Sequence, residues 1–325
     1  TFTKVKGHMK SIKEILPGLI IIFLITIVSF MLSLVHPSFD ILVISMIFGM
    51  LIANFINDKE IFDRGIAFAL KVFLPAGIAL YGTQLSFTGT EPKLLFSVIA
   101  TTVCLFALTY FIARGLGLTK NLGLVLSTGL SVCGASAIAV VSPLIGARKE
   151  ETSISLIVVM VLGLAGMIFY PLLTDVLMLN KKEFAFLSGA TLPMLGQVKT
   201  VASTAGPEAL ALALKLKLIR ISCLIFIPIV AIILSGKENK FYVPWFIVVF
   251  IALAIGVNTI KGAEIIMGLA EPASKLLLAS ALASIGLSVD FDSIGEEGTK
   301  PLLAVFLSWG IVILLLYLVF SIINV

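Results

Sequence analysis

The chain has 325 residues, 59% of them hydrophobic and 13% charged, with a formal net charge of +5 and a mean hydropathy of +1.17. A soluble domain of this size carries about 25% charged residues. Together with apolar runs that recur along the whole length, this excludes a soluble fold with one anchor and predicts an all-α polytopic membrane protein, a single membrane domain over residues 1–325.

The first ten residues, TFTKVKGHMK, precede an apolar run at 15–35. That run is too long for a signal-peptide core and no A-x-A-like site follows it, so it reads as a retained first helix. Eleven candidate spans are predicted, at about 15–35, 41–56, 66–81, 94–113, 121–145, 153–178, 184–200, 209–234, 243–260, 274–289 and 301–323. Several fall short of the ~20 residues that a perpendicular helix needs. Such spans occur in transporters, where unwound backbone lines a cavity.

Loop charges bear on the count. With a cytoplasmic N-terminus, the inside loops hold thirteen basic residues: Lys4, Lys6, Lys10, Lys13, Lys59, Arg64, Arg114, Lys120, Lys181, Lys182, Lys237, Lys240 and Lys300. The outside loops hold four, namely Lys93, Arg148, Lys149 and Lys261. That asymmetry supports an inside N-terminus in a cell inner or plasma membrane and an odd number of crossings.

A gapless shift of 204 residues aligns ten identities over 34 positions, including Asn54 with Asn258, Glu60 with Glu264, Lys71 with Lys275 and Gly82 with Gly286. The polar matches carry the weight, because those residues are rare here. The parts at about 41–113 and 243–323 are thus predicted to be inverted repeats, since seven spans separate them and an odd shift reverses the sense of crossing.

Two segments interrupt otherwise continuous apolar helices. In 121–145 the heptad SVCGASA, residues 131–137, is small and polar with a glycine at its centre. It is compatible with tight packing through small residues. It is also compatible with an unwound crossing, after which a helix beginning near Ser136 aims free N–H groups and a positive dipole end at the membrane centre. In 184–204, Pro193 and Gly196 break the helix, because proline removes a backbone hydrogen bond and glycine loosens the turn.

Six cations lie within or at the edges of spans: Lys71, Lys199, Lys215, Lys217, Arg220 and Lys275. A cation at the bilayer centre costs roughly 2.5–3.5 kcal/mol on insertion scales. The main acidic candidate within a span is Asp175, so most of these cations lack an obvious protein partner. Lys71 and Lys275 can snorkel to an interface or pair with a loop carboxylate such as Glu264 or Asp290. Lys217 and Arg220 are spaced i, i+3 on one helical face, and Lys199 stands beside a broken span; these three suit an anionic ligand. The candidate substrate-binding set is Ser131, Cys133, Gly134, Ala135, Ser136, Gln197, Lys199, Thr200, Lys217 and Arg220.

At these residues the sequence resembles the YeiH-like sulfate exporter family, over nearly the whole chain. The resemblance is carried by SVCGASAIAVVSPLIGA, by SGATLPMLGQVKTVAS before the Lys217-x-x-Arg220 pair, and by LLLASALASIGLSVDF with the later KPLL. That family is grouped with the cation:proton antiporter and anion transporter superfamily. The resemblance implies two crossing broken helices, a mobile core with a scaffold, and elevator-type alternating access. One departure stands out: the family commonly carries a His-Glu pair near the second break, where this chain has Pro193 and Met194.

The expected function is secondary transport of a small anion, such as sulfate or a related sulfur oxyanion or sulfonate. The alternative is a sodium-coupled carrier of another small organic solute, with coupling Na+ or H+ as the only cofactor. The scarcity of intramembrane Asp and Glu argues against a two-carboxylate proton antiporter. An enzyme is not expected. Nucleophilic catalysis needs a base, and the histidines, His8 and His36, lie near the ends of the first span. Cys104, Cys133 and Cys223 are spaced neither as a zinc site nor as a disulfide framework. No metal site, P-loop or nucleic-acid module is present in the sequence. The partners expected are the anionic substrate, the lipid bilayer and a possible homodimer.

Overall fold

The computed structural model describes residues 2–35, 41–56, 60–84, 91–236, 245–260, 264–288 and 299–323. Among these, every regular element is helical. In chain order they are α1 (Phe2–Ser33), α2 (Ile41–Phe55), α3 (Glu60–Tyr81), α4 (Pro92–Gly115), α5 (Lys120–Ser131), α6 (Ala135–Ile145) and α7 (Lys149–Leu177). There follow α8 (Lys181–Thr191), α9 (Leu195–Ser203), α10 (Pro207–Ser222), α11 (Ile227–Ser235), α12 (Trp245–Thr259), α13 (Glu264–Leu287) and α14 (Thr299–Ile323).

Each predicted apolar run coincides with one helix or with two consecutive ones. Length and composition nevertheless give fewer clear crossings than eleven. Five described helices are long and apolar enough to span a bilayer, or six if the bent pair α10 and α11 forms one span. The difference has a physical source. Breaks divide 121–145 and 184–204 into shorter helices, α2 and α12 are short, and α13 carries Glu271, Pro272 and Lys275. The protein is a multi-pass membrane protein built from helices alone among its described residues.

The chain divides into two compact units, one of Thr1–Gln84 with Trp245–Phe291 and the other of Leu85–Pro244 with Asp292–Val325. The first unit contains α1–α3, α12 and α13, and its helices approach through glycines. A Cβ added to Gly286 on α13 would lie 2.3 Å from the Met46 carbonyl oxygen of α2. A Cβ added to Gly82, just after α3, would lie 2.3 Å from the Phe250 carbonyl oxygen of α12. The 204-residue shift converts one contact into the other, for Gly82 aligns with Gly286 and Met46 with Phe250. Two copies related by a local twofold make contacts of this kind. Asn54 and Asn258, also aligned, each donate from Nδ2 to the carbonyl four residues back at 2.7 Å.

The second unit contains α4–α11 and α14. Its core gathers Tyr170 and Leu162 of α7, Phe184 of α8 and Trp309 of α14. In α4 the Thr109 hydroxyl donates to the Ser308 hydroxyl of α14 at 2.9 Å. Such bonds and small-residue approaches hold helices together where no hydrophobic driving force acts between them. At Gly189 of α8 an added Cβ would lie 2.5 Å from the Ala213 carbonyl oxygen, so α10 runs against α8 at backbone contact.

The ends of the broken helices are anchored. Thr119 caps α5 by accepting from the Leu122 N–H at 3.2 Å, and its own hydroxyl donates to the buried Glu151 carboxylate of α7. Asn180 caps α8 by accepting from the Lys182 and Glu183 N–H groups at 2.9 and 3.0 Å, while Glu183 Oε2 accepts from the Asn180 N–H at 2.8 Å. These are the reciprocal bonds of a capping box.

Candidate functional site: a crossing of two broken helices

The first break spans residues 132–134, between α5 and α6. Gly134 adopts φ 68° and ψ −125°, a conformation that a side chain strongly disfavours. Helix α6 therefore begins at Ala135, one residue before the predicted start. The second break spans residues 192–194, between α8 and α9. Leu192 is extended, with φ −64° and ψ 135°, as the residue before a proline prefers. Gly196 was expected to share in this break, but it lies in the first turn of α9.

The two breaks meet. A Cβ added to Gly134 would lie 2.8 Å from Met194 Cγ and 3.6 Å from the Pro193 carbonyl oxygen. Pro193 thus ends α8, and Met194 packs against the other break.

The C-terminal ends of α5 and α8 meet two cations from α10. Lys217 Nζ donates to the carbonyls of Val132, Leu192 and Pro193 at 2.8, 2.9 and 2.6 Å. Arg220 Nε donates to the Ser131 carbonyl at 2.9 Å, and its terminal nitrogens to Leu130 at 2.7 Å, Leu192 at 2.9 Å and Gly189 at 3.4 Å. Both side chains are fully buried. The last carbonyls of a helix have no partner within it, and they form the negative end of its dipole. Lys217 and Arg220 satisfy both needs. Their spacing puts them on one face of α10, as the sequence predicts.

The expectation that these cations lack a protein partner is corrected here. Their partners are main-chain carbonyls, which a search among Asp and Glu side chains cannot find. No carboxylate pairs with either of them among the described residues. Lys275 also differs from its expectation, since it pairs with Glu271 of its own helix at the surface. Asp290 lies outside the described residues.

The N-terminal ends of α6 and α9 are arranged differently. Gly134 has no side chain with which to cap α6. At α9 the Gln197 Oε1 accepts from the Met194 N–H at 3.0 Å, whereas Gln197 Nε2 is buried without a protein acceptor. Gly163 of α7 makes room for this amide, for a Cβ there would fall 2.1 Å from Nε2. Cys133, half-buried in the first break, lies within electrostatic reach of both cations.

Of the predicted site residues, Ser131, Cys133, Gly134, Ala135, Ser136, Gln197, Lys217 and Arg220 are therefore grouped at this crossing. Lys199 and Thr200 lie further along α9 and are half-buried. The sequence reading missed the carbonyls of Leu130, Val132, Gly189, Leu192 and Pro193, because main-chain acceptors leave no residue signature. It also missed Tyr170, whose hydroxyl bonds to Thr191 at the end of α8.

The comparisons with known proteins agree with a membrane fold. The chain is 33% identical over 301 residues to a UPF0324 membrane protein of Archaeoglobus fulgidus, covering 90% of this chain and 89% of that one. It is 32% identical over 319 residues to one of Clostridium perfringens, covering 91% and 92%. A third, of Brucella suis, is 29% identical over 313 residues, covering 91% and 93%. No solved structure matches the chain. Residues 17–305 match the family described as conserved hypothetical protein 698, and the chain belongs to this family of UPF0324 membrane proteins.

Proposed function

We propose that the protein is a secondary transporter of a small anion, such as sulfate, a related sulfur oxyanion or a sulfonate. One observation carries the reading. Two fully buried cations stand at the crossing of two broken helices and, among the described residues, donate their hydrogen bonds to neutral carbonyls. The carbonyl ends of the breaks are engaged by Lys217 and Arg220, and the N–H ends of α6 and α9 carry no cap from a charged side chain. A helix N-terminus with oriented N–H groups favours an anion, and Gln197 Nε2, Ser136 and the nearby cations add to that preference. Alternating access of the elevator type, in which the unit holding the crossing changes the side it faces, is part of this proposal. So are a plasma-membrane location and a cytoplasmic N-terminus.

The sodium-coupled alternative needs free oxygens at the breaks. The carbonyls of Val132, Leu192 and Pro193, which a sodium ion would use, are taken by Lys217. No catalytic role is proposed. Thermal unfolding of the purified protein with sulfate, sulfite, thiosulfate, sulfonates and dicarboxylates, with and without sodium, tests the reading. A stabilising shift with one class of anion, independent of sodium, is expected. A shift that appears only with sodium and a neutral solute would transfer the assignment to the alternative.

A further inference from the structure

We infer that the transport favours exchange over net movement: the crossing changes the side it faces more readily with a dianion bound than empty. The inference rests on the anion-transporter reading and concerns what happens to the empty site. Lys217 Nζ faces three carbonyls at 2.6–2.9 Å. An ammonium has three N–H donors and fills all three contacts, whereas a neutral amine has two and would aim its lone pair at the third oxygen. The Arg220 guanidinium is always charged. The crossing therefore carries two fixed positive charges.

Among the described residues no carboxylate offsets them. Of those in the same unit, Glu151 binds Thr119 and Arg148 at the start of α7, and Glu183 caps α8. Glu91, Glu150 and Glu208 are exposed at the starts of α4, α7 and α10. The charged groups on the elements packed against α10 are otherwise basic, with Lys93 and Arg114 on α4, Lys181 and Lys182 on α8, and Lys199 on α9. No carboxylate is placed at the crossing, among the described residues, to take up a proton or a cation and reset the charge. An empty crossing must thus carry two net charges through the membrane field, and a negative interior opposes its outward return after uptake. A bound dianion cancels both charges, and the loaded crossing moves as a neutral body.

Proteoliposomes decide the matter. Uptake of labelled sulfate, thiosulfate and oxalate is measured with the same unlabelled anion inside, and again with none inside, under potassium–valinomycin clamps of either sign. Uptake with internal anion is expected to exceed net uptake by about tenfold or more. Exchange of dianions is expected to ignore the clamp, and net uptake to follow it. Equal rates in the two modes overturn the inference and leave anion transport standing. No uptake of any of the three in either mode, from protein shown to be folded, overturns both. In Lys217→Gln, which keeps two donors and drops one charge, the ratio of exchange to net uptake falls; an unchanged ratio in folded protein also overturns the inference. Should that variant not fold, the two modes of the wild-type protein decide alone.

Discussion

The second unit uses glycine in a way that the first, among its described residues, does not. In the first, Gly49, Gly82 and Gly286 let helices touch backbone to backbone, and the polar side chains buried there among the described residues are Ser and Thr hydroxyls. In the second, Gly134 lets a helix stop, and the carbonyls released there are held by charged side chains from α10. Packing alone explains the first unit. In the second, the chain leaves helical hydrogen bonds unmade in the protein interior and covers the deficit with two buried cations. Lipid offers no partners to an open backbone group, so an arrangement of this kind persists only where protein groups supply them. The difference separates a region built for rigidity from one built to present polar backbone.

The largest effect is expected at Arg220. Arg220→Leu leaves the carbonyls of Leu130, Ser131 and Gly189 without their donor and takes one of two donors from Leu192. An unsatisfied buried acceptor costs about 1–3 kcal/mol, so the variant should lose at least ~3 kcal/mol. Thermal unfolding in detergent and the monodisperse fraction on size exclusion measure it, and a variant as stable as the wild type would remove the structural role given to this side chain. Gly134→Ala comes next. It places a side chain at φ 68° and within 2.8 Å of Met194 Cγ. A residue held in such a region costs of order 1–3 kcal/mol. The same two measurements apply, and binding of the anion found in the thermal screen should weaken further than stability does, since the N-terminus of α6 is re-aimed.

Much of this contrast is legible in the sequence. Hydropathy shows the membrane character, and SVCGASA and the Leu192-Pro193 step show where helices stop, because glycine and pre-proline residues carry backbone preferences in their identity. The i, i+3 spacing of Lys217 and Arg220 places them on one face. What they bind is not legible. A lysine in an apolar run looks unpartnered when its partners are carbonyls supplied by two other helices far away in the chain. The Gly82 and Gly286 matches are visible as identities, but that they press on aligned residues of the opposite copy becomes apparent only when the helices are assembled. Span number is the weakest reading, since a run of apolar residues does not say whether its helix is continuous.

The two aligned glycine contacts of the first unit give a paired test of intermediate size. Gly82→Ala and Gly286→Ala each drive a methyl into a backbone carbonyl, of Phe250 and Met46 respectively, with 2.3 Å between the atoms. Overpacking of this kind costs typically 1–3 kcal/mol. The two variants should lose thermal stability together and to a similar degree. If one is severe and the other silent, the aligned contacts are not equivalent and the local symmetry fails.

The smallest effect is expected at another intrahelical cation, which makes it the control for the whole comparison. Lys275 aligns with Lys71 in the repeat and sits within an apolar stretch, so the sequence makes it look as notable as Lys217. The structure separates them. Lys275 is half exposed and pairs with Glu271 one turn away on the same helix, which is also half exposed. Exposed pairs at i, i+4 contribute about 0.3–0.5 kcal/mol. Lys275→Ala should therefore shift stability by no more than ~0.5 kcal/mol, leave anion binding unchanged and give normal exchange. Measured beside Lys217→Gln on the same preparation, it distinguishes a cation that stabilises a break from one that merely borders the membrane. A large loss at Lys275 would mean that position along an apolar run, and not the crossing of two broken helices, makes these cations matter.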